Sequence, residues 1–72
     1  MSYDYSKLRG RIVEIWKTNR EFAKQIGLSE RTVSLKLNNL TPFTQQDIEK
    51  SVKVLNLTAD DVQDYFFTKE VL

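Results

Sequence analysis

Gly27 divides residues 19–38, NREFAKQIGLSERTVSLKLN, into two short amphipathic segments, and that stretch sets the terms for the rest of the chain. Phe22, Ala23 and Ile26 fall at i, i+1 and i+4, the apolar face of one helix. The chain leaves that helix at Gly27, because glycine enters the left-handed conformation without a Cβ clash. Leu28 plugs the corner. Ser29 is placed to cap a second helix whose inner face carries Val33 and Leu37 at i and i+4. The small Ala23 lets that helix cross close by. Together these are the marks of a helix-turn-helix, whose second helix usually enters the DNA major groove. The bland alternative is a helical hairpin in a small bundle.

The remaining elements follow from the same signals. A first helix is expected from near Tyr5 to near Lys17, with Asp4 as its cap and Leu8, Ile12, Ile15 and Trp16 as one apolar stripe. Gly10 inside it costs roughly 1 kcal/mol relative to alanine, which close packing would explain. Trp16 reads as a core residue. Lys7, Arg9 and Arg11 lie off the stripe, on a solvated face or against phosphate. Thr18-Asn19-Arg20-Glu21 matches a capping box at the start of the second helix. The third runs from Glu30 to about Asn39. Residues 39–43 form a loop, since Pro42 disfavours helix at Thr41. Thr44-Gln45-Gln46-Asp47 resembles a capping box with Asp in place of Glu, and Ile48, Val52 and Leu55 repeat at i, i+4 and i+7, marking a fourth helix. Thr58-Ala59-Asp60-Asp61 leads into a short fifth helix carrying Val62, Tyr65 and Phe66. Residues 67–72 can run extended. The expected architecture is all-α: five short helices around one core, a single domain over residues 1–72.

Composition excludes much chemistry. The 72 residues include no cysteine and no histidine, so disulfides, Cys/His zinc sites and His- or Cys-based catalysis are ruled out. Asp60, Asp61 and Asp64 are a helix-start acidic cluster, favoured there by the helix dipole, and lack the further ligands a metal site needs. No enzyme, cofactor, metal or small-molecule substrate is expected. The opening MSYDYSKLRG is polar and no signal peptide, and nothing approaches the roughly 18 apolar residues of a membrane span. A soluble cytoplasmic protein is the simple expectation. Net charge is only +1, but its distribution is uneven. Residues 1–40 hold eight basic and four acidic side chains, and residues 41–72 hold three and six. The basic half contains the helix-turn-helix. That fits phosphate contact, and it fits a solvated helical surface equally.

With Val33 and Leu37 turned inward, rotation by 100° per residue puts Glu30, Arg31, Ser34, Leu35 and Asn38 on the outer face of the second helix of the pair. Arg31 can make a bidentate bond to guanine O6 and N7, and Glu30 can accept from cytosine N4. Ser34 donates or accepts, and Asn38 reaches a base edge or a phosphate. Asn19 at the start of the first helix of the pair, and Asn39 after the second, stand where backbone contacts usually come from, and Arg20 beside Asn19 joins the candidate binding residues. Leu35 should be exposed, about 200° from both Val33 and Leu37. It suits a thymine methyl or a protein partner, and a lone surface leucine needs no explanation.

Three segments carry a family resemblance: DYSKLRGRI, FAKQIGLSERTVSLKLNN and DDVQDYFF. The chain resembles the small Cro-type regulators of temperate phages infecting Gram-positive bacteria. LSERTVSLKLNN is the most specific segment, and through it the chain is similar to the antirepressors of lactococcal phage switches. The resemblance implies a lambda-repressor-like DNA-binding fold and a role in the lysis–lysogeny decision, opposing the cognate lysogeny repressor. The leading expectation is that the second helix of the pair binds operator DNA, a role the resemblance carries over to Ser29, Glu30, Arg31, Ser34, Leu35 and Asn38. The alternative is an antirepressor that masks the repressor's own helix-turn-helix by direct contact. The expected partners are thus double-stranded operator DNA, the cognate phage repressor, or both. The apolar residues 65–72 can join two chains into a homodimer or fold back onto their own core.

Overall fold

In the computed structural model, which describes residues 2–71, five helices follow one another: α1 (Ser6–Trp16), α2 (Asn19–Ile26), α3 (Glu30–Leu37), α4 (Gln45–Val54) and α5 (Asp61–Phe66). Among the described residues the sole β-type pairing is an isolated antiparallel bridge between Tyr3 and Lys69. The chain is therefore the small all-helical bundle its periodicity predicts.

Hydroxyl caps start the middle three helices. Thr18 Oγ1 accepts from Glu21 N, Ser29 Oγ from Thr32 N and Thr44 Oγ1 from Asp47 N, each at 3.1 Å. At Thr44 the box is complete, since Asp47 Oδ2 accepts from Thr44 N at 2.9 Å. At Thr18 only the threonine half is formed among the described residues. In α5 the aspartate half stands alone, with Asp61 Oδ2 accepting from Thr58 N at 2.9 Å. Asp4 lies one residue earlier than a cap: Tyr5 holds that position, and the Asp4 carboxylate accepts from Ser6 N at 2.8 Å and from its hydroxyl at 2.6 Å.

The same three helices also end alike. Gly27, Asn39 and Asn56 take positive φ of 74°, 62° and 54°. The leucine after each donates its amide back across the last turn, Leu28 to Ala23 O, Leu40 to Leu35 O and Leu57 to Val52 O, each at 2.9 Å. This is the Schellman closure, with glycine or asparagine supplying the left-handed residue. It stops α3 at Leu37, two residues short of the expected end.

The core collects Leu8 and Ile12 from α1, Phe22, Ala23 and Ile26 from α2, Val33 and Leu37 from α3, and Tyr5, Leu55, Leu57 and Phe66 around them. Burial of each large apolar side chain contributes about 1.5–3 kcal/mol. Ile15 and Trp16 are half-buried at its margin, where Trp16 Nε1 donates to Val54 O at 3.0 Å. Gly10 is exposed and a Cβ there would meet nothing within 4 Å, so close packing does not explain it.

The helix that Ile48, Val52 and Leu55 mark is α4, and its buried side takes in polar residues as well. Asp47, Ser51 and Leu55 are buried, while Ile48 and Val52 are half-buried at the edge of the core. Polar groups can face inward here because each has a partner. Ser51 Oγ donates to Asp47 O at 2.7 Å, and Asp47 Oδ2 lies 2.9 Å from Lys36 Nζ. The tail folds back onto its own chain: Asp4 N donates to Thr68 O at 2.7 Å and Glu70 N to Ser2 O at 3.2 Å. Edge-on ring contacts then link Tyr3 to Phe67, Tyr5 to Phe43 and Phe43 to Phe66. The tail's last residue, Leu72, lies outside the described residues.

Candidate interaction surface on the second and third helices

The capped start of α2, the left-handed Gly27 and the capped start of α3 build a tight helical pair, with Phe22, Ala23, Ile26, Val33 and Leu37 sealed between it and the core. What remains outside on α3 is the expected set. Glu30, Arg31 and Asn38 are exposed, and Ser34 is half-buried beside them. Leu35 is half-buried rather than exposed, and it is not among the side chains packed on the core. Its position explains this: Leu40 closes back over the same turn, and that closure commonly brings the two side chains together. Arg20 is exposed and Asn19 half-buried at the first turn of α2.

Three of the candidate residues are already engaged. The Ser29 hydroxyl caps α3 and donates to Thr32 Oγ1 at 2.9 Å. Asn39 has both ends of its amide on Tyr3: Oδ1 accepts from Tyr3 N and Nδ2 donates to Tyr3 O, each at 2.9 Å. Its role in the fold is thus to pin the N-terminal segment against the end of α3. Asn38 Oδ1 accepts from Arg9 Nη2 at 2.9 Å, and the same nitrogen donates to Leu37 O at 3.1 Å. That bond fixes which way the amide points, leaving Nδ2 on the outer side, 3.4 Å from Ser34 Oγ.

Arg9 and Arg11 therefore serve the fold rather than forming a bare solvated face. Arg9 sits on the C-terminal end of α3. Arg11 donates to Leu55 O at 2.9 Å and Asn56 O at 3.3 Å at the end of α4, and pairs with Glu14 at 3.0 Å. A cation at a helix C-terminus is favoured by the helix dipole as well as by the orphan carbonyls it satisfies. Lys7 stands 4.0 Å from Asp64, both exposed, which contributes little. Lys24 pairs with Glu21 at 3.6 Å, and Lys36 is buried. Of the eight cations in residues 1–40, three have no such partner among the described residues: Lys17, Arg20 and Arg31.

Lys36 was not legible as an inner residue. Its ammonium donates to Pro42 O at 2.8 Å, meets Asp47 Oδ2 at 2.9 Å and lies 5.9 Å from the centre of the Phe43 ring. Burial raises the Asp47 carboxyl, but bonds from Lys36 and from the Thr44 amide and hydroxyl outweigh it and hold the group below its ordinary value of 3.8. This pair locks α3 to α4 behind the outer face. Among the described residues no cluster of three or more acids is arranged to hold a metal ion, and no helix is long and apolar enough to cross a membrane.

A five-helix bundle that presents one capped, internally anchored helix is the class of protein these features define. The chain belongs to the family described as a protein of unknown function, DUF739, whose model matches residues 1–69. It is similar, at 50% identity and a TM-score of 0.81, to the solution structure of the modulator of repression (MOR) of the temperate bacteriophage TP901-1 from Lactococcus lactis. That likeness covers 100% of this chain and 97% of the other. A modulator of repression from a lactococcal phage is also the protein that the resemblance carried by LSERTVSLKLNN points to. No curated protein sequence matches the chain.

Proposed function

We propose that this protein is a non-enzymatic regulator of a phage lysis–lysogeny switch, acting in the cytoplasm of the host cell, and that it opposes the lysogeny repressor by binding it directly. The full-length likeness to a modulator of repression carries the role. The commitment of Arg9, Arg11 and Lys36 to partners within the fold favours a protein over DNA as the main target. A groove reader needs such donors free for phosphates. The half-buried Leu35 amid Glu30, Arg31, Ser34 and Asn38 makes a mixed apolar and polar face of the kind protein interfaces use. In this reading α2 and α3 form a helix-turn-helix turned toward the repressor's own DNA-binding surface.

Operator binding by α3 is the second reading, and Arg31 favours it: the side chain is exposed, has no partner among the described residues and stands on the first turn of the helix. Parallel titrations separate the two. Isotope-labelled protein is followed by NMR as the purified repressor of the same phage, or a duplex at low salt, is added. Repressor-induced shifts in α2 and α3, weakened in Leu35→Ala, support direct binding. Shifts with duplex alone, together with a loss of about 1–3 kcal/mol at one specific site in Arg31→Ala, support DNA reading. An unchanged repressor affinity in Leu35→Ala counts against the first.

A further inference from the structure

The loop after α3 and the two chain ends enclose a cleft of about 310 Å3, lined chiefly by Tyr3, Tyr5, Leu40, Phe43, Phe66 and Phe67. Two of these stay in water although they are large and apolar: Leu40 is 69% exposed and Phe67 39%. An aromatic hollow with apolar side chains on its rim gains free energy when another apolar group covers it.

The cleft adjoins the C-terminal end of α3, where Asn39 and Leu40 line it. Leu40 closes the last turn of that helix through its bond to Leu35 O, so the rim begins where the helix ends. Asn39, between them, holds Tyr3 on the cleft wall through two hydrogen bonds.

Size determines what must use it. Eight residues of α3 make a cylinder about 12 Å long and 10–12 Å across. A stable protein interface takes about 800 Å2 from each partner, and the whole chain exposes 4882 Å2. Even α2 and α3 side by side, eight residues each, present only roughly 300 Å2 in projection, so a protein gripping the pair must cover ground beside it. The Leu40–Phe67 cleft is ground of that kind, contiguous with α3 and apolar. A duplex, by contrast, approaches with phosphates, which gain nothing from an aromatic hollow.

We infer that the protein partner engaged by α3 also seats an apolar side chain, aliphatic or aromatic, in the cleft between Leu40 and Phe67. The inference rests on the direct binding of the repressor proposed above. Leu40→Asp and Phe67→Asp test it, because both positions are exposed and an amide spectrum shows whether each variant keeps its fold. Labelled wild type and variants are titrated with the purified repressor of the same phage. The expected result is that the amides of Leu40, Phe43 and Phe67 shift together with those of α3, and that each aspartate weakens binding about tenfold or more. If the α3 amides shift while both variants bind as wild type does, the inference fails and direct binding stands. If neither region shifts, both fail. Cleft shifts produced by raising the protein's own concentration would identify a second copy as the occupant and overturn the inference.

Discussion

Replacing Asp47 by Asn tests the buried contact that sets α3 against α4. The substitution keeps an oxygen able to accept from Thr44 N, so the cap survives while the charge opposite Lys36 disappears. Lys36 is then left buried with Pro42 O and the face of Phe43 for company. Breaking a buried ion pair by removing one charge costs about 3–5 kcal/mol. Both side chains retain about a tenth of their exposure, 10% and 11%, so water reaches the ammonium and a loss of about 3 kcal/mol is expected. A chain of this size has about 4–11 kcal/mol of stability in total, so the loss is a large share of it. At about 4–8 °C per kcal/mol, the midpoint falls by about 12–24 °C. Urea and thermal unfolding followed by circular dichroism measure both quantities. Lys36→Met alone should cost less, since Asp47 keeps its bonds to Thr44, and the double variant should recover part of the Asp47→Asn loss. The pH dependence has a definite sign. The carboxyl is held below its ordinary value in the folded state, so its contribution is present above about pH 4 and fades as pH falls through the lowered value. Wild type and Asp47→Asn should therefore converge in stability below about pH 4. A loss under about 1 kcal/mol at neutral pH, or single costs that simply add in the double variant, would refute the reasoning.

Gly10→Ala should stabilise the protein by about 0.5–1 kcal/mol, because the position is helical and exposed and an added Cβ meets nothing; thermal unfolding checks it, and destabilisation would mean that α1 packs differently. Asn39→Ala should cost about 2–3 kcal/mol by removing two bonds to Tyr3 and straining a left-handed residue. Asn39→Gly relieves the strain alone and should cost less in the same unfolding assay. If the basic half meets a duplex through Lys17, Arg20 and Arg31 only, the slope of log K against log salt should be about −2.7, at −0.9 per phosphate. A slope near −5 in fluorescence anisotropy would show that Arg9 and Arg11 leave their carbonyls to bind DNA.

The legible parts of the fold were those encoded locally. Thr18, Ser29 and Thr44 before amphipathic runs announce their helices, and Gly27 announces the turn, because cap and turn chemistry depend on residues within a few positions. The inner face of α4 was not legible. Ile48 and Val52 satisfy a helical apolar pattern, yet Asp47 and Ser51 face inward, and the reason lies 11 positions upstream in Lys36. Arg9 and Arg11 hid for the same reason: a cation's partner can be a distant backbone carbonyl, which sequence does not mark. One missed signal was available. Gly27-Leu28, Asn39-Leu40 and Asn56-Leu57 are three left-handed residues each followed by leucine, and reading the last two like the first would have placed the ends of α3 and α4. The outer face of α3 was legible because Val33 and Leu37 fix its rotation. Leu35 is half-buried instead of exposed, on the turn whose carbonyl the Leu40 amide closes.

These contacts have a consequence for function. A 72-residue chain buries only about 60% of its unfolded surface, so little apolar area is left to hold any one helix in place. Here α3 is held by polar anchors as well: Lys36 beneath it, Arg9 at its C-terminal end and Asn39 just beyond, tied to Tyr3. A helix fixed before it meets its partner loses less entropy on binding, which favours affinity from a small surface. The cations spent on those anchors keep their charge and still contribute to the field around the basic half, but their donors are no longer free to meet phosphates. Long-range attraction and short-range recognition are thus carried by different residues. Arg9, Asn39 and Lys36 cannot be altered without loosening the helix, so loss of binding in those variants would say nothing about contact. Leu35, Arg31 and Leu40 lie outside those polar anchors, so changes there, once an amide spectrum shows the fold kept, report on the partner.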